Sequence, residues 1–150
     1  MADFEKALKR LMDEEGIKLT NDPVDRGGQT FAGISRKHHP KWVGWKYIDA
    51  GETPPFDLVR DFYREEFWTL VRGDQINSQR VAEVLFSQCV NNEEAGIKLM
   101  QKCVGVIADG KVGPKTIAAI NAATERMKMD PEDVLLSFYS FAHSARYHAI

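Results

Sequence analysis

The chain of 150 residues carries 20 lysines and arginines against 22 aspartates and glutamates, a formal net charge of −2, with 43% hydrophobic and 28% charged residues. That balance supplies enough apolar material for a buried core and argues against disorder. It offers no basic platform for nucleic acid or for an anionic membrane surface, so neither is expected as a partner.

Met1-Ala2-Asp3-Phe4-Glu5-Lys6 shows no basic segment followed by an apolar one, and no apolar run reaches the length of a membrane span. Synthesis in the cytoplasm without a signal peptide, and without stable membrane insertion, is therefore expected. Phe4, Ala7, Leu8, Leu11 and Met12 then fall at i, i+3, i+4, i+7 and i+8, one face of a helix over residues 3–13. Gly16 suits a left-handed position that ends this helix at 14–16, which leaves Glu14 and Glu15 where the chain turns.

Between 19 and 34 no period is sustained. Asn21-Asp22-Pro23, Asp25-Arg26-Gly27-Gly28 and Gly33 are turn signals, and they predict an irregular or short hairpin-like segment. An acid at a helix end, followed by a glycine-rich stretch with further carboxylates, suits cleavage of a glycosidic bond. One acid stays protonated to donate to the leaving oxygen, and a second group handles water or the developing cation.

His38-His39-Pro40 and the cluster Trp42, Trp45 and Tyr47 predict a short helix with a connecting loop. The aromatics serve either as core or as surfaces that stack on sugar rings. No carboxylate follows the histidines at ligand spacing, so no metal site is expected there. After the Pro54-Pro55 breaker, residues 56–68 read as one long helix with Leu58, Phe62, Phe67 and Trp68 apolar and Arg60, Asp61, Arg64 and Glu65 on a solvated face.

Asp74 is placed to cap the next helix, marked by Val81, Val84, Leu85 and Val90 and ending at Asn91-Asn92. Residues 95–106 continue as a helix with Ile97, Met100 and Val104 on one side. A turn over 108–114 leads into a helix whose first turn holds Pro114, where a missing N–H costs little. Pro131-Glu132-Asp133 starts a terminal helix carrying Leu135, Phe138, Tyr139, Ala142 and Tyr147. Cys89 and Cys103 lie in no C-x-x-C or His-rich context and read as buried thiols rather than a zinc or disulfide framework.

Two motifs carry a family resemblance over nearly the whole chain. Glu14-Glu15-Gly16-Ile17, then Lys18-Leu19, precedes Asn21-Asp22-Pro23-Val24-Asp25-Arg26-Gly27-Gly28-Gln29-Thr30 and Gly33-Ile34-Ser35. This resembles the E-G-G-Y and N-D-P-x-D-x-G-G-x-T elements of glycoside hydrolase family 108, lysozyme-like N-acetylmuramidases also described as secretion activator proteins. Residues 85–121, with Gln101, Gly105, Asp109-Gly110 and Gly113-Pro114-Lys115-Thr116, resemble that family's predicted peptidoglycan-binding helical region. The E-G-G-Y element is altered, Glu15 and Ile17 replacing its first glycine and its tyrosine. Alignment through Lys18-Leu19 places the family's acid at Glu14, and a gap in the loop would place it at Glu15.

The resemblance implies a mainly α, lysozyme-like fold with a short irregular or β-hairpin-like active-site segment. Residues 1–75 would form the catalytic region and 76–150 the peptidoglycan-binding region, packed as one compact domain. Glu14 would donate the proton, held protonated by burial beside apolar groups of the helices. Asp22 or Asp25, with Asp25 preferred because Thr30 lies five residues later, would stabilise the transition state or orient water. Turn-closing hydrogen bonds are the other role open to Asp22, Asp25 and Thr30.

Asn21, Trp42, Trp45 and Tyr47 would bind the glycan. The partner implied is the peptidoglycan strand, cut at the β-1,4 bond between N-acetylmuramic acid and N-acetylglucosamine. No cofactor or metal is required. Action at the periplasm or cell wall would follow release by a holin, in phage or prophage lysis, or accompany secretion-related wall remodelling. A non-catalytic peptidoglycan-binding or secretion-assisting protein, and a lytic transglycosylase, stand as alternatives.

Overall fold

In the computed structural model, residues 1–16, 19–21 and 28–126 are described. The first amphipathic stretch forms α1, Phe4–Glu15. It closes as the sequence predicts: Gly16 is left-handed at φ 76°, and its N–H reaches the Met12 carbonyl at 2.8 Å, satisfying one carbonyl that a helix end leaves open. Beyond this shared helix the chain divides into two units, Leu8–Glu65 and Met1–Ala7 with the described residues from Glu66 onward.

The unit Leu8–Glu65 contains an antiparallel meander of β1 (Leu19–Asn21), β2 (Gln29–Phe31) and β3 (Ile34–Ser35), in that order. Leu19, Thr20 and Asn21 stand opposite Phe31, Thr30 and Gln29, while Thr30 and Phe31 stand opposite Ser35 and Ile34. Phe31 and Ile34 are buried, which fixes the register, because a slip of one residue would turn both outward. Ala32 and Gly33 join β2 to β3 with φ of 49° and 81°, the double left-handed turn whose twist matches the strands. For alanine that conformation costs about 1 kcal/mol. Ala32 is fully buried, and the Tyr63 hydroxyl donates to its carbonyl at 2.6 Å, which ties the turn to a helix.

Two helices complete this unit: α2 (Trp45–Asp49) and α3 (Phe56–Tyr63). The single long helix expected over 56–68 is interrupted. Arg64–Trp68 form a wide π turn, and Val59 rather than Leu58 is the fully buried residue in the first half. The face that buries Val59, Phe62 and Tyr63 would continue at 66 in a regular helix. The extra residue of the π turn moves it to Phe67 and Trp68 and leaves Glu66 outside.

In the other unit, Phe4, Trp68 and Phe86 pack mutually at centroid distances of 5.6, 6.1 and 5.6 Å in tilted and edge-on geometry. The N-terminus is pinned beside them, Ala2 N–H reaching the Ile76 carbonyl at 2.9 Å and Asp3 N–H the Gln79 Oε1 at 2.6 Å. Asp74 does not cap the next helix. It accepts from Trp68 Nε1 at 2.8 Å, and Ser78 is the cap of α4 (Gln79–Asn91), its Oγ accepting from Val81 N–H at 3.3 Å.

Helix α4 ends where expected and runs through the single residue Asn92 into α5 (Glu93–Val104). Asn92 is extended, and its side chain accepts from Ala95 N–H at 3.4 Å. A Cβ at Gly96 would lie 2.9 Å from the Gln88 carbonyl carbon, so glycine permits the close approach of α4 and α5. Val81, Leu85, Ile97 and Met100 are buried as predicted, whereas Val84, Val90 and Val104 are half-buried and Ala82, Phe86 and Cys89 complete the apolar face. Gly105, at φ 79°, ends α5, and α6 (Pro114–Arg126) starts at the proline. The helix expected from Pro131 lies outside the described residues. The mainly α fold class with a short hairpin-like segment is the one observed.

Candidate active site and a second polar cluster

Glu14 sits on the closing turn of α1. Its surroundings are not those expected. The side chain is 57% exposed, and its ion-pair partner is Arg10, one turn back, with Nε 3.9 Å from the carboxylate. The burial against apolar helix residues expected for a proton donor is absent from this arrangement. An i, i+4 pair so open to water adds little to stability. Glu15 is the last residue of α1. Asp22 and Asp25 lie outside the described residues.

Asn21 closes β1 opposite Gln29, at the mouth of the 22–27 segment. Thr30 lies in the centre of β2 and directly opposite Ser35. Both Thr30 and Ser35 are half-buried, and the Ser35 Oγ is enclosed without a hydrogen-bond partner among the described residues.

Of the three aromatics assigned to sugar stacking, Trp45 is 2% exposed and belongs to the interior. Its Nε1 donates to the His39 carbonyl at 2.8 Å, and the Arg36 guanidinium lies 5.2 Å from its ring centroid. Trp42 is half-buried, ringed by Phe31, Trp45 and Phe62 at 6.2, 5.3 and 6.1 Å, and a Cβ on Gly44 would collide with its indole. Tyr47, at 37% exposure, is the member of the trio open to solvent. The aromatic run is therefore largely packing, and Tyr47 is the surface left for a ring to lie on.

Sequence reasoning passed over Arg36. Its Nη1 reaches Gln29 Oε1 at 2.6 Å and Asp49 Oδ1 at 2.7 Å, its Nη2 reaches Asp49 Oδ2 at 2.8 Å, and its backbone N–H bonds the Gln29 carbonyl at 2.9 Å. The two-pronged hydrogen bond from Arg36 holds the Asp49 carboxyl below the ordinary aspartate range, with desolvation opposing it. A G-I-S followed by arginine carries no sign of this, since Asp49 is thirteen residues away.

In the other unit, the residues that carry the second motif form a buried polar hub. Gln101, 0% exposed, donates to Asp109 Oδ1 and the Lys111 carbonyl at 2.9 Å and to Thr116 Oγ1 at 3.2 Å, and its Oε1 accepts from Gly110 N–H at 3.0 Å. Lys111 N–H bonds Asp109 Oδ1 at 2.9 Å. That backbone hydrogen bond, then the one from Gln101, keeps the Asp109 carboxyl below its usual range. The motif's polar residues thus shape the α5–α6 loop, on which Ile107 stands 85% exposed.

Both cysteines are free thiols, Cys89 buried as expected and Cys103 only half-buried. Burial, aided by Glu93, pushes the Cys89 thiol up to about 12, and burial raises Cys103 as well. Among the described residues no group of three or more histidines, cysteines or carboxylates is placed to hold a metal ion, and no helix is long and apolar enough to cross a membrane.

An acid on the last turn of the first helix and an antiparallel meander after it, in a mainly α chain, are consistent with a lysozyme-like fold. Comparison with known proteins agrees: residues 8–92 match the family model described as Glycosyl hydrolase 108, and residues 95–150 match one described as Predicted Peptidoglycan domain. The chain belongs to glycosyl hydrolase family 108. A solved structure, that of Brucella abortus SagA, is similar at 27% identity with a TM-score of 0.72, covering 98% of this chain and 80% of that one. No curated protein matches the chain. The two matched regions support a role in hydrolysing or binding peptidoglycan.

Proposed function

We propose that the protein is an N-acetylmuramidase that hydrolyses the β-1,4 bond between N-acetylmuramic acid and N-acetylglucosamine. The observation that carries this reading is the family match over residues 8–92 with Glu14 on the closing turn of α1 directly before the meander. Glu14 donates the proton to the leaving oxygen, and a bound glycan strand supplies the cover over its carboxylate that the free protein lacks. Asp25 or Asp22 provides the second group, and Thr30 on β2 assists it. Asn21 and Tyr47 contact the sugar. Residues 1–75 carry the chemistry and 76–150 the grip on the wall.

The test is mass-resolved analysis of peptidoglycan products from wild type, Glu14→Gln and Glu15→Gln. Reducing muropeptides lost in Glu14→Gln alone support the assignment. Loss in Glu15→Gln alone moves the acid by one residue, and anhydro-muramic ends identify a lytic transglycosylase.

The 57% exposure of Glu14 favours one second reading, a non-catalytic wall-binding or secretion-assisting protein. It predicts sedimentation with insoluble wall and no new reducing ends. For biological setting we propose action at the periplasm or cell wall after release through a holin, as in phage or prophage lysis. Lysis that follows expression with a holin, and fails without one, is the expected result; lysis without any holin would remove that route.

A further inference from the structure

Strand alternation puts Gln29 and Phe31 on one face of the meander and Thr30 on the other, with Ser35 directly across from Thr30. Every contact of the Arg36 guanidinium described above falls on the Gln29 side. Arg36 holds Gln29 through both backbone and side chain, and it carries that hold to Asp49 of α2 over the Trp45 ring. Residue 29 ends the loop that contains Asp22 and Asp25 and immediately precedes Thr30. Residue 36 immediately follows Ser35. The clamp thus closes the meander at the hydrogen-bonded 29–36 pair, and the next pair inward is Thr30 with Ser35, the closer-spaced kind in which facing side chains approach. Such hydroxyl pairs usually bond one another, yet the enclosed Ser35 Oγ has no partner among the described residues.

We propose that Arg36 is a positioning residue for catalysis: by locking Gln29 to Asp49 across Trp45 it sets the placement of the Thr30 and Ser35 hydroxyls, which serve the reacting sugar or its water. This rests on the hydrolase reading given above. Arg36 itself touches no substrate. A fork of two parallel N–H donors is required, because an ammonium at the same place cannot engage Asp49 at both oxygens and Gln29 together.

The experiment compares wild type, Arg36→Gln, Arg36→Lys and Asp49→Asn in steady-state turnover of solubilised peptidoglycan and in amide hydrogen exchange over residues 28–36. Arg36→Gln is expected to lower kcat by ~10²-fold, the scale of a misplacement of about 1 Å, with KM within about twofold. Exchange over 28–36 should quicken while the midpoint of global unfolding moves little. Arg36→Lys should restore charge without restoring kcat, and Asp49→Asn, which keeps one acceptor, should fall between. An unchanged kcat in Arg36→Gln, or a kcat in Arg36→Lys equal to that of wild type, overturns the proposal. If wild type binds wall without cutting it, the hydrolase reading fails by itself, and exchange decides on the clamp: protection of 28–36 unaltered in Arg36→Gln ends it. Should Arg36→Gln not fold, Asp49→Asn supplies both readouts.

Discussion

Two loops in this protein are each tied down by one long polar side chain, and they are tied in opposite ways. Gln101 is fully buried and neutral; of its four partners Thr116 is buried with it, while Asp109, Gly110 and Lys111 reach the surface. Arg36 is charged, with 34% of its side chain exposed against an Asp49 that is 58% exposed. Buried at its centre, the hub makes loss of the amide expensive, since the Thr116 hydroxyl beside it is also buried. At the surface, the clamp spends little on desolvation and remains subject to salt and pH. A loop within the region that matches the Predicted Peptidoglycan domain is thereby fixed, and the meander of the other unit is held by contacts that solution conditions tune.

Breaking the hub should give the largest effect. Gln101→Leu keeps much of the volume and leaves the Lys111 carbonyl, Gly110 N–H and Thr116 hydroxyl to find other partners. It should cost roughly 3 kcal/mol in urea unfolding. A loss under about 1 kcal/mol would show that water substitutes for the amide and that the two loops differ less than their burial suggests.

Tyr63→Phe comes next. It removes the hydroxyl that satisfies the fully buried carbonyl of left-handed Ala32, and should cost about 2 kcal/mol by the same measurement. A smaller value would mean that the Ala32-Gly33 turn supports itself.

The clamp is sharpened by titration rather than by unfolding. Asp49 is held below its ordinary value in the folded protein, so the stabilisation it provides is complete above the unfolded value and disappears as pH falls through the folded one. By NMR its carboxyl should titrate low in wild type and move upward in Arg36→Gln or at high salt. No movement in either case would mean that the bonds to Arg36 do not persist in solution. The smallest effect belongs to Glu14→Gln, which removes the charge that faces Arg10 and should change stability by ~0.3–0.5 kcal/mol. A loss several times larger would place Glu14 in a less solvated setting than its exposure indicates.

The helices were legible because their signals are local. The spacing of Phe4, Ala7, Leu8, Leu11 and Met12, with Gly16 after them, located α1 and its left-handed end. Val81 and Leu85, then Ile97 and Met100, gave the buried faces of α4 and α5. Where two nearby residues could do the same job, sequence could not choose, and so the cap fell to Ser78 while Asp74 turned to Trp68 Nε1. The π turn at 64–68 was also invisible, since it changes which residues share a face without changing their composition.

At the candidate site the sequence located the end of α1, on whose last turn Glu14 lies, and the hairpin-like segment that holds Thr30, but not the surroundings of either. That Trp45 is interior, that Ala32 is left-handed and held by Tyr63, and that Arg36 reaches Asp49 are all consequences of pairings between residues far apart in the chain. Gln101 and Asp109 stood out as parts of a recognition motif. The burial of Gln101 and its bond to Asp109 show how these motif residues build a loop.

Asn92 has a consequence for the order of assembly. With one residue as the joint, α4 and α5 meet through short closures of the chain, whereas pairing Ala2 with Ile76 and Asp3 with Gln79 requires the N-terminus to be gathered in from most of the way along its first half. The α4–α5 hairpin is thus the natural nucleus. Truncations within it should slow folding, while truncations at Phe4 should chiefly hasten unfolding, so that the segment holding the boundary between the two family regions is also where the chain begins to become a structure.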